Sequence, residues 1–280
     1  MAKKDKYSAP GKGVKKNQAE KRAFFAFVEL YFHKFWDLIK INMIMFVCFI
    51  PLISALTFPA MGGGFIVAMV LIQSVLLGPC LCGVSYLLRN ITNKSHAWIW
   101  SDFKDVFIDN YKAGFVMGFV DILAIWLLYV ANNYYTLVMG GTFGDIISAV
   151  IVVFFALFIM VNMYIYPMIV TFDNTISSHF KNAIVFTLAN LPRSVLAFVI
   201  DILVILGLGY ILFTKVPVIF AVIIMVVLLA FFVFSFLGLV NMFIIWPVLK
   251  PHVVFESDSI AEDVETVFSD EIIVDDKEDK

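Results

Sequence analysis

Six long apolar runs, nearly free of charged residues, constrain the fold of this chain more than any other feature. They lie at about residues 41–58, 65–88, 114–130, 146–170, 195–213 and 216–246. A helix needs about 20 apolar residues to cross the hydrocarbon core of a bilayer. The composition agrees, because 62% of the 280 residues are hydrophobic and 15% are charged, whereas soluble domains average about 25% charged residues. We therefore predict an all-α, polytopic membrane protein with six transmembrane helices.

The basic residues predict the orientation of these helices. If all six runs cross the membrane, Lys215 falls on one side and every other Lys and Arg residue falls on the opposite side. Cytoplasmic loops of membrane proteins carry the excess of Lys and Arg. We therefore predict that both termini are cytoplasmic.

Two charged ends flank the predicted membrane domain. Residues 1–34 form a basic cytoplasmic head with an amphipathic lead-in, residues 35–250 form the six-helix domain, and residues 251–280 form an acidic cytoplasmic tail. The head would bind anionic lipid, at about 1 kcal/mol per basic residue near the surface, or would be a disordered segment that follows the positive-inside bias. The lipid bilayer is thus the expected partner, and nucleic acid is not.

An internal repeat of about eighty residues divides the membrane domain. Residues 110–125 align without gaps on residues 190–205. The repeat matches two pairs of polar residues inside the runs, namely Asp121 with Asp201 and, with a slip of one residue, Asn162 with Asn241. In the first copy, Asn42 falls close to the position that matches Asp121 and Asp201. We predict three parallel helical hairpins, each preceded by an amphipathic cytoplasmic segment. Chance similarity between hydrophobic helices is the alternative.

Aromatic residues recur at helical spacing between the second and third runs. They are Trp100, Phe103, Phe107 and Tyr111. Acidic residues lie off this face, so the segment reads as an amphipathic helix along the inner membrane interface. The alternative is a helix that docks onto the cytoplasmic subunit of a partner.

Five polar residues in the apolar runs are the candidate functional residues. They are Asn42, Asp121, Asn162, Asp201 and Asn241. An ionised carboxylate near the middle of the bilayer costs about 2.5–3.5 kcal/mol, so such groups usually face the bundle interior. We predict a polar cluster whose carboxyl groups are either neutral or kept charged by a wet cavity. The cluster would bind protons or a substrate, or would only form interhelical hydrogen bonds of about 0.6 kcal/mol each.

Two glycines on the third run predict a close helix contact. Gly114 and Gly118 are four residues apart, and Asp121 continues their face. Small residues at this spacing let two membrane helices approach closely. We therefore predict that this face packs against another helix.

Motifs of soluble enzymes are missing from the chain. The sequence has no phosphate-binding G-x-x-x-x-G-K-[ST] loop and no G-x-S-x-G or H-E-x-x-H motif. Its three cysteines lack C-x-x-C spacing, and its four histidines are scattered. We therefore expect a protein that is not an enzyme, with no catalytic residues, no cofactor and no metal ion.

Two stretches carry a family resemblance. Residues Gly78–Asn90 hold a Gly-Pro pair followed by an aromatic residue and Leu-Arg-Asn, and residues Trp100–Asn110 hold an aromatic-Ser-Asp-Phe-Lys segment that ends in Asn. This pattern resembles the YesL family of bacterial multi-pass membrane proteins. The chain departs from shorter members in the longer separation of Pro51 from Gly78.

The resemblance implies a location and a role. It implies the bacterial cell membrane and a non-enzymatic accessory or regulatory role beside a carbohydrate importer of the ATP-binding-cassette type, whose permease or ATPase subunits would be the partners. The residues themselves leave an alternative, which is a small transporter or channel that uses the Asp/Asn cluster. The sequence predicts no substrate and no oligomeric state.

Overall fold

A computed structural model describes residues 22–95, 97–215 and 217–253. Within these ranges every regular element is helical. In chain order the helices are α1 (Ala23–His33), α2 (Phe35–Cys48), α3 (Ile50–Thr57), α4 (Gly63–Thr92), α5 (Ile99–Asp109), α6 (Tyr111–Asn133), α7 (Gly141–Ile169), α8 (Ile176–Ala189), α9 (Leu191–Lys215), α10 (Val218–Leu228) and α11 (234–253). The basic residues 1–21 and the acidic residues 254–280 lie outside the described part of the chain.

Five helical segments in the described part of the chain are long and apolar enough to cross a membrane. They are Gly63–Thr92, Tyr111–Met139, Gly141–Ile169, Leu191–Leu212 and Phe220–Val253. Only a helix or a closed barrel satisfies its backbone hydrogen bonds inside lipid, which explains why these apolar runs are helical. The chain is therefore an all-helical, multi-pass membrane protein, and each segment coincides with one of the last five predicted runs.

The first predicted run, 41–58, is not one continuous helix. It is divided between α2 and α3, which meet at Phe49 just before Pro51. Proline has no N–H group and its ring crowds the preceding turn. The break frees the backbone N–H of Leu52, which donates a hydrogen bond of 3.2 Å to the Gln73 side-chain oxygen of α4. A side chain of a neighbouring helix therefore stabilises the break.

The last predicted run, 216–246, is longer than predicted and contains a defect. A π-helical turn at Leu229–Val233 joins α10 to α11, and the whole segment reaches Val253. Widened turns of this kind weaken local backbone hydrogen bonds. Asn42 of α2 compensates, because its amide donates to the Leu229 carbonyl oxygen and its oxygen accepts from the Ser235 N–H at 2.7 Å.

Three short helices, α1, α5 and α8, each run into the next helix through a single residue. The φ and ψ angles are −105° and 18° at Lys34, −98° and 14° at Asn110, and −117° and 37° at Asn190. All three residues therefore depart from helical geometry in the same direction, toward the sparsely populated bridge region. Two helices long enough to cross a membrane follow α5 and two follow α8, whereas α1 is followed by the shorter α2 and α3 and then by α4.

The C-terminal ends of α4, α7 and α11 meet at one end of the bundle, which we call the linker end. Large side chains are completely buried there, among them Leu87 of α4, Tyr164 of α7 and Leu249 of α11. By contrast, many apolar side chains of the long helices are exposed on the outside of the bundle. This distribution is the one expected for a protein whose outer surface contacts lipid.

Candidate functional site

A cavity of about 700 Å³ lies between the long helices. Residues of α2, α3, α4, α6, α7, α9 and α11 line it, and most of them are apolar. The polar lining residues are Gln73, Ser85, Asp121, Asn162, Tyr166, Asp201 and Asn241. No Lys or Arg residue is among the described residues of the wall. The volume lies within the range of about 300–1,000 Å³ that is typical of small-molecule sites.

Asp121 of α6 forms the first polar pair in this wall. Its Oδ2 atom accepts a hydrogen bond from the Tyr166 hydroxyl of α7, and the side chain is only 4% exposed. Asn162 lies one turn before Tyr166 on α7 and lines the same cavity. The site therefore joins α6 to α7 on the side that faces the cavity.

Asp201 of α9 forms the second polar pair. Its Oδ2 atom accepts a hydrogen bond of 2.8 Å from the Asn241 side-chain amide of α11. In both pairs an aspartate on one long helix contacts polar side chains on the following long pass. Four of the five predicted cluster residues are thereby brought to one cavity.

Asn42 does not belong to this cavity. It is completely buried, and both ends of its amide are bonded to the backbone around the π-helical turn of the last pass. The sequence prediction placed Asn42 with the aspartates because it lies near the matching position of the repeat. The structure instead gives Asn42 a local structural role.

The residues of the cavity wall include buried polar atoms without a hydrogen-bond partner. Among the described residues, the buried side-chain atoms of this wall that make no hydrogen bond are Gln73 Nε2, Asp121 Oδ1, Asn162 Oδ1, Asp201 Oδ1 and Asn241 Oδ1. A buried polar atom without a partner costs about 1–3 kcal/mol, and native proteins keep few of them. Five such atoms in the wall of one cavity make it the candidate binding site.

Glycine contacts between α4 and α6 set the position of this site. A Cβ atom at Gly114 would stand 2.7 Å from the Pro79 nitrogen, and one at Gly118 would stand 2.9 Å from the Gly78 Cα. The two backbones are therefore in direct contact. Residue numbers rise along α6 in the direction in which they fall along α4, so the two helices are antiparallel. Gln73 of α4 therefore lies near the level of Asp121.

Arg89 ties three helices together at the linker end. Its guanidinium donates hydrogen bonds of 2.9 Å to the Val170 carbonyl oxygen and to the Thr171 hydroxyl, both after α7. It also lies over the Tyr86 ring at 4.7 Å and the Trp246 ring of α11 at 5.8 Å from the centroids. The sequence analysis used Arg89 as one of the basic residues that predict the orientation and as part of the Leu-Arg-Asn motif, and it predicted none of these contacts.

The aromatic row of α5 does not present one uniform face. Phe103 is 8% exposed and packs against Gly83 of α4, whereas Trp100 is 70% exposed. Phe107 and Tyr111 continue the row, with ring centroids 5.8 Å and 6.2 Å apart along it. The row therefore anchors α5 to the bundle in its middle and leaves Trp100 on the surface.

Gln73 and Tyr166 are among the polar residues of the cavity that the sequence analysis missed. Gln73 is an amide in the middle of an apolar run, which is the same signal that singled out Asn162. Tyr166 lies beside Pro167, four residues after Asn162, so the same helix face predicts it. Both could have been found from the sequence.

The described residues hold no group of three His, Cys, Asp or Glu side chains that could bind a metal ion. Comparison with other proteins adds no assignment, since no family model, no curated protein and no solved structure matches the chain. The interpretation of the cavity therefore rests on its own geometry.

Proposed function

We propose that this protein is a small, non-enzymatic membrane transporter that binds its ligand in the central cavity through the Asp/Asn cluster. The observation that carries the proposal is the set of five buried polar atoms in the cavity wall that make no hydrogen bond. Polar groups inside a membrane bundle commonly mark ligand or ion pathways. No cofactor is needed for binding of this kind.

A purely structural role accounts for only one of the two oxygen atoms of each carboxyl group. Hydrogen bonds between helices explain the Oδ2 atom of Asp121, which Tyr166 contacts, and the Oδ2 atom of Asp201, which Asn241 contacts. They leave the Oδ1 atom of each carboxyl group buried and without a hydrogen-bond partner. A bound ligand that replaces these missing hydrogen bonds explains both oxygens.

We further propose six membrane passes arranged as three parallel units, with the linker end in the cytoplasm. Residues 35–57, which contain α2 and α3, would supply the first pass. The similar backbone angles at Lys34, Asn110 and Asn190 support the repeat, as do the two aspartate pairs. Arg89 and Lys250 are on helix ends that lie at the linker end, and an excess of such residues is typical of the cytoplasmic side.

A single cysteine in the cavity tests whether a ligand can reach it. In a background in which Cys48, Cys80 and Cys82 are alanine, Ser85→Cys places a thiol in the cavity wall. We expect a small water-soluble methanethiosulfonate reagent to modify this thiol in the membrane-embedded protein, because the cavity has to admit a polar ligand. Mass spectrometry of the intact protein measures the modification.

The matched control is Ser74→Cys on the same helix. Ser74 is 4% exposed, and its hydroxyl donates to the Leu71 carbonyl oxygen rather than facing the cavity. We expect this cysteine to stay unmodified over the time in which Ser85→Cys reacts. Equal protection of the two cysteines would show a closed cavity and would contradict the proposed function.

A second candidate function is the accessory subunit of a bacterial carbohydrate importer of the ATP-binding-cassette type. One surface favours it, a groove of about 790 Å³ between the start of α2 and the start of α5. Lys34, Lys40 and Trp100 line this groove, and the Trp100 ring is largely exposed. The exposed aromatic ring suits a protein partner, since aromatic residues are enriched in interfaces.

Affinity purification at native expression levels tests this second function. We expect permease or ATPase subunits to co-purify in stoichiometric amount with the wild-type protein, and to be lost from the Trp100→Ala variant. Trp126→Ala, which changes an exposed tryptophan on α6 away from this groove, is the matched control and should retain them. Purification of the wild-type protein without such subunits would contradict the accessory role.

A further inference from the structure

The charge of the cavity wall restricts the class of ligand. Two carboxyl groups, those of Asp121 and Asp201, line the cavity, and none of its described lining residues is basic. Without a countercharge in the wall, an anionic ligand would meet only repulsion, whereas a cation would supply the opposite charge that a buried carboxylate needs. The electrostatics of the wall therefore favour a positively charged ligand.

The unpaired atoms restrict the ligand further. Four of the five are oxygen atoms, which accept hydrogen bonds, and only the Gln73 nitrogen donates. A ligand that forms hydrogen bonds to all of these unpaired atoms carries more N–H or O–H donors than acceptors. A protonated amine has up to three N–H donors and no acceptor, so it matches both the charge and the hydrogen-bonding pattern.

The apolar part of the wall indicates the chemistry of the part of the ligand that carries no charge. Most of the lining is apolar, and it includes five aromatic residues besides Tyr166, namely Phe49, Trp126, Tyr129, Phe158 and Phe234. Aromatic faces attract organic cations, by about 0.5–2 kcal/mol per contact. Ca²⁺ takes about 6–8 oxygen ligands and Mg²⁺ takes about six, and neither gains anything from this apolar surface.

We infer that the ligand of this cavity is an amphiphilic organic amine that binds as its ammonium ion, with its nitrogen at the Asp/Asn cluster and its apolar body against the aromatic wall. The inference rests on the proposed function and specifies its ligand class. It requires no chemical step, since the amine is bound and released unchanged.

Three compounds with the same aromatic body test the ligand class. They are 2-(1-naphthyl)ethylamine, which is cationic at pH 7, 2-(1-naphthyl)ethanol, which is neutral, and 1-naphthylacetate, which is anionic. Binding to the purified full-length protein in detergent is measured by isothermal titration calorimetry, with empty micelles as the blank. We expect the amine to bind at least about tenfold more tightly than the alcohol, and the acetate not to bind.

Isosteric variants locate the amine. Asp121→Asn and Asp201→Asn keep the shape of the side chain and one acceptor oxygen but remove the charge, so each should weaken amine binding by about tenfold and leave alcohol binding unchanged. Asp145→Asn makes the same change at an exposed residue of α7 outside the cavity, and it should bind the amine like the wild type.

The outcomes separate the ligand class from the proposed function. If the alcohol binds as tightly as the amine, or if the double variant of Asp121 and Asp201 retains wild-type amine affinity, the inferred class is wrong. Failure of the amine to bind also overturns it. The accessibility of Ser85→Cys is measured without any of these compounds, so the cavity can remain a ligand site when the amine class fails.

Discussion

Replacing Gly114 with valine should abolish the folded protein. In α6 a Cβ atom at this position would stand 2.7 Å from the Pro79 nitrogen and 2.9 Å from the Gly78 carbonyl carbon, and both neighbours are backbone atoms that cannot rotate away. The helices would have to separate, which would expose the whole α4–α6 contact. We expect a loss of at least about 3 kcal/mol, the upper range for overpacking of a well-packed interior. Size-exclusion chromatography and a thermal melt in detergent measure the loss.

Gly207→Val is the matched control for this experiment. Gly207 also lies inside a long helix, α9, but a Cβ atom there has no heavy atom within 4 Å. The two substitutions carry the same change in helix propensity, so the difference between them isolates the close contact. A Gly114→Val protein that is as monodisperse and as heat-stable as Gly207→Val would show that α4 and α6 do not pack through these glycines.

The Arg89→Leu variant should produce the second largest loss of stability. It removes hydrogen bonds to the Val170 carbonyl oxygen and the Thr171 hydroxyl, and it removes the cation from the Tyr86 and Trp246 rings. Hydrogen bonds to a charged group contribute about 1.5–3 kcal/mol, and each ring contact adds about 0.5–2 kcal/mol. We therefore expect a loss of about 3 kcal/mol, seen as a lower melting temperature in detergent.

Two further variants show whether the geometry of Arg89 or only its charge matters. Arg89→Lys keeps the charge but lacks the planar fork that reaches two acceptors, so its melting temperature should be intermediate. Arg193→Leu removes an arginine that is exposed at the start of α9, and it should change the melting temperature little. If the Arg89→Leu and Arg193→Leu variants have the same melting temperature, Arg89 does not hold the three helices together.

The long helices could be predicted from the sequence because lipid leaves the backbone few alternatives. A segment in a bilayer has to satisfy its own N–H and C=O groups, so hydropathy alone predicts helix. The same argument does not locate a break. Pro79 and Pro167 lie inside continuous helices, whereas the chain breaks just before Pro51. What distinguishes Pro51 is the Gln73 side chain, which accepts the Leu52 N–H, and this is a tertiary contact.

The residues of the candidate site that were predicted from the sequence are those that the repeat matches in two copies. The repeat singled out Asp121, Asp201, Asn162 and Asn241, because two copies of one pattern placed carboxyl and amide groups at matching depths. It wrongly placed Asn42 in the cluster, because residues at matching positions of a repeat can have different structural roles. In the last pass the π-helical turn creates a demand for a backbone partner, and no periodicity in the sequence reveals such a defect.

The polar contacts of Arg89 give the bundle two ends of different mechanical stiffness. At the linker end, Arg89 joins α4 to the end of α7, and Trp246 of α11 donates to Asn93 at 2.7 Å. Among the described residues at the opposite end, Thr136 and Asn132 bond only to Ser148 of the adjoining helix. Thermal fluctuations will therefore separate the helices more at the opposite end than at the linker end. Amide hydrogen exchange should accordingly be slowest beside Arg89 and rise along each helix with distance from it.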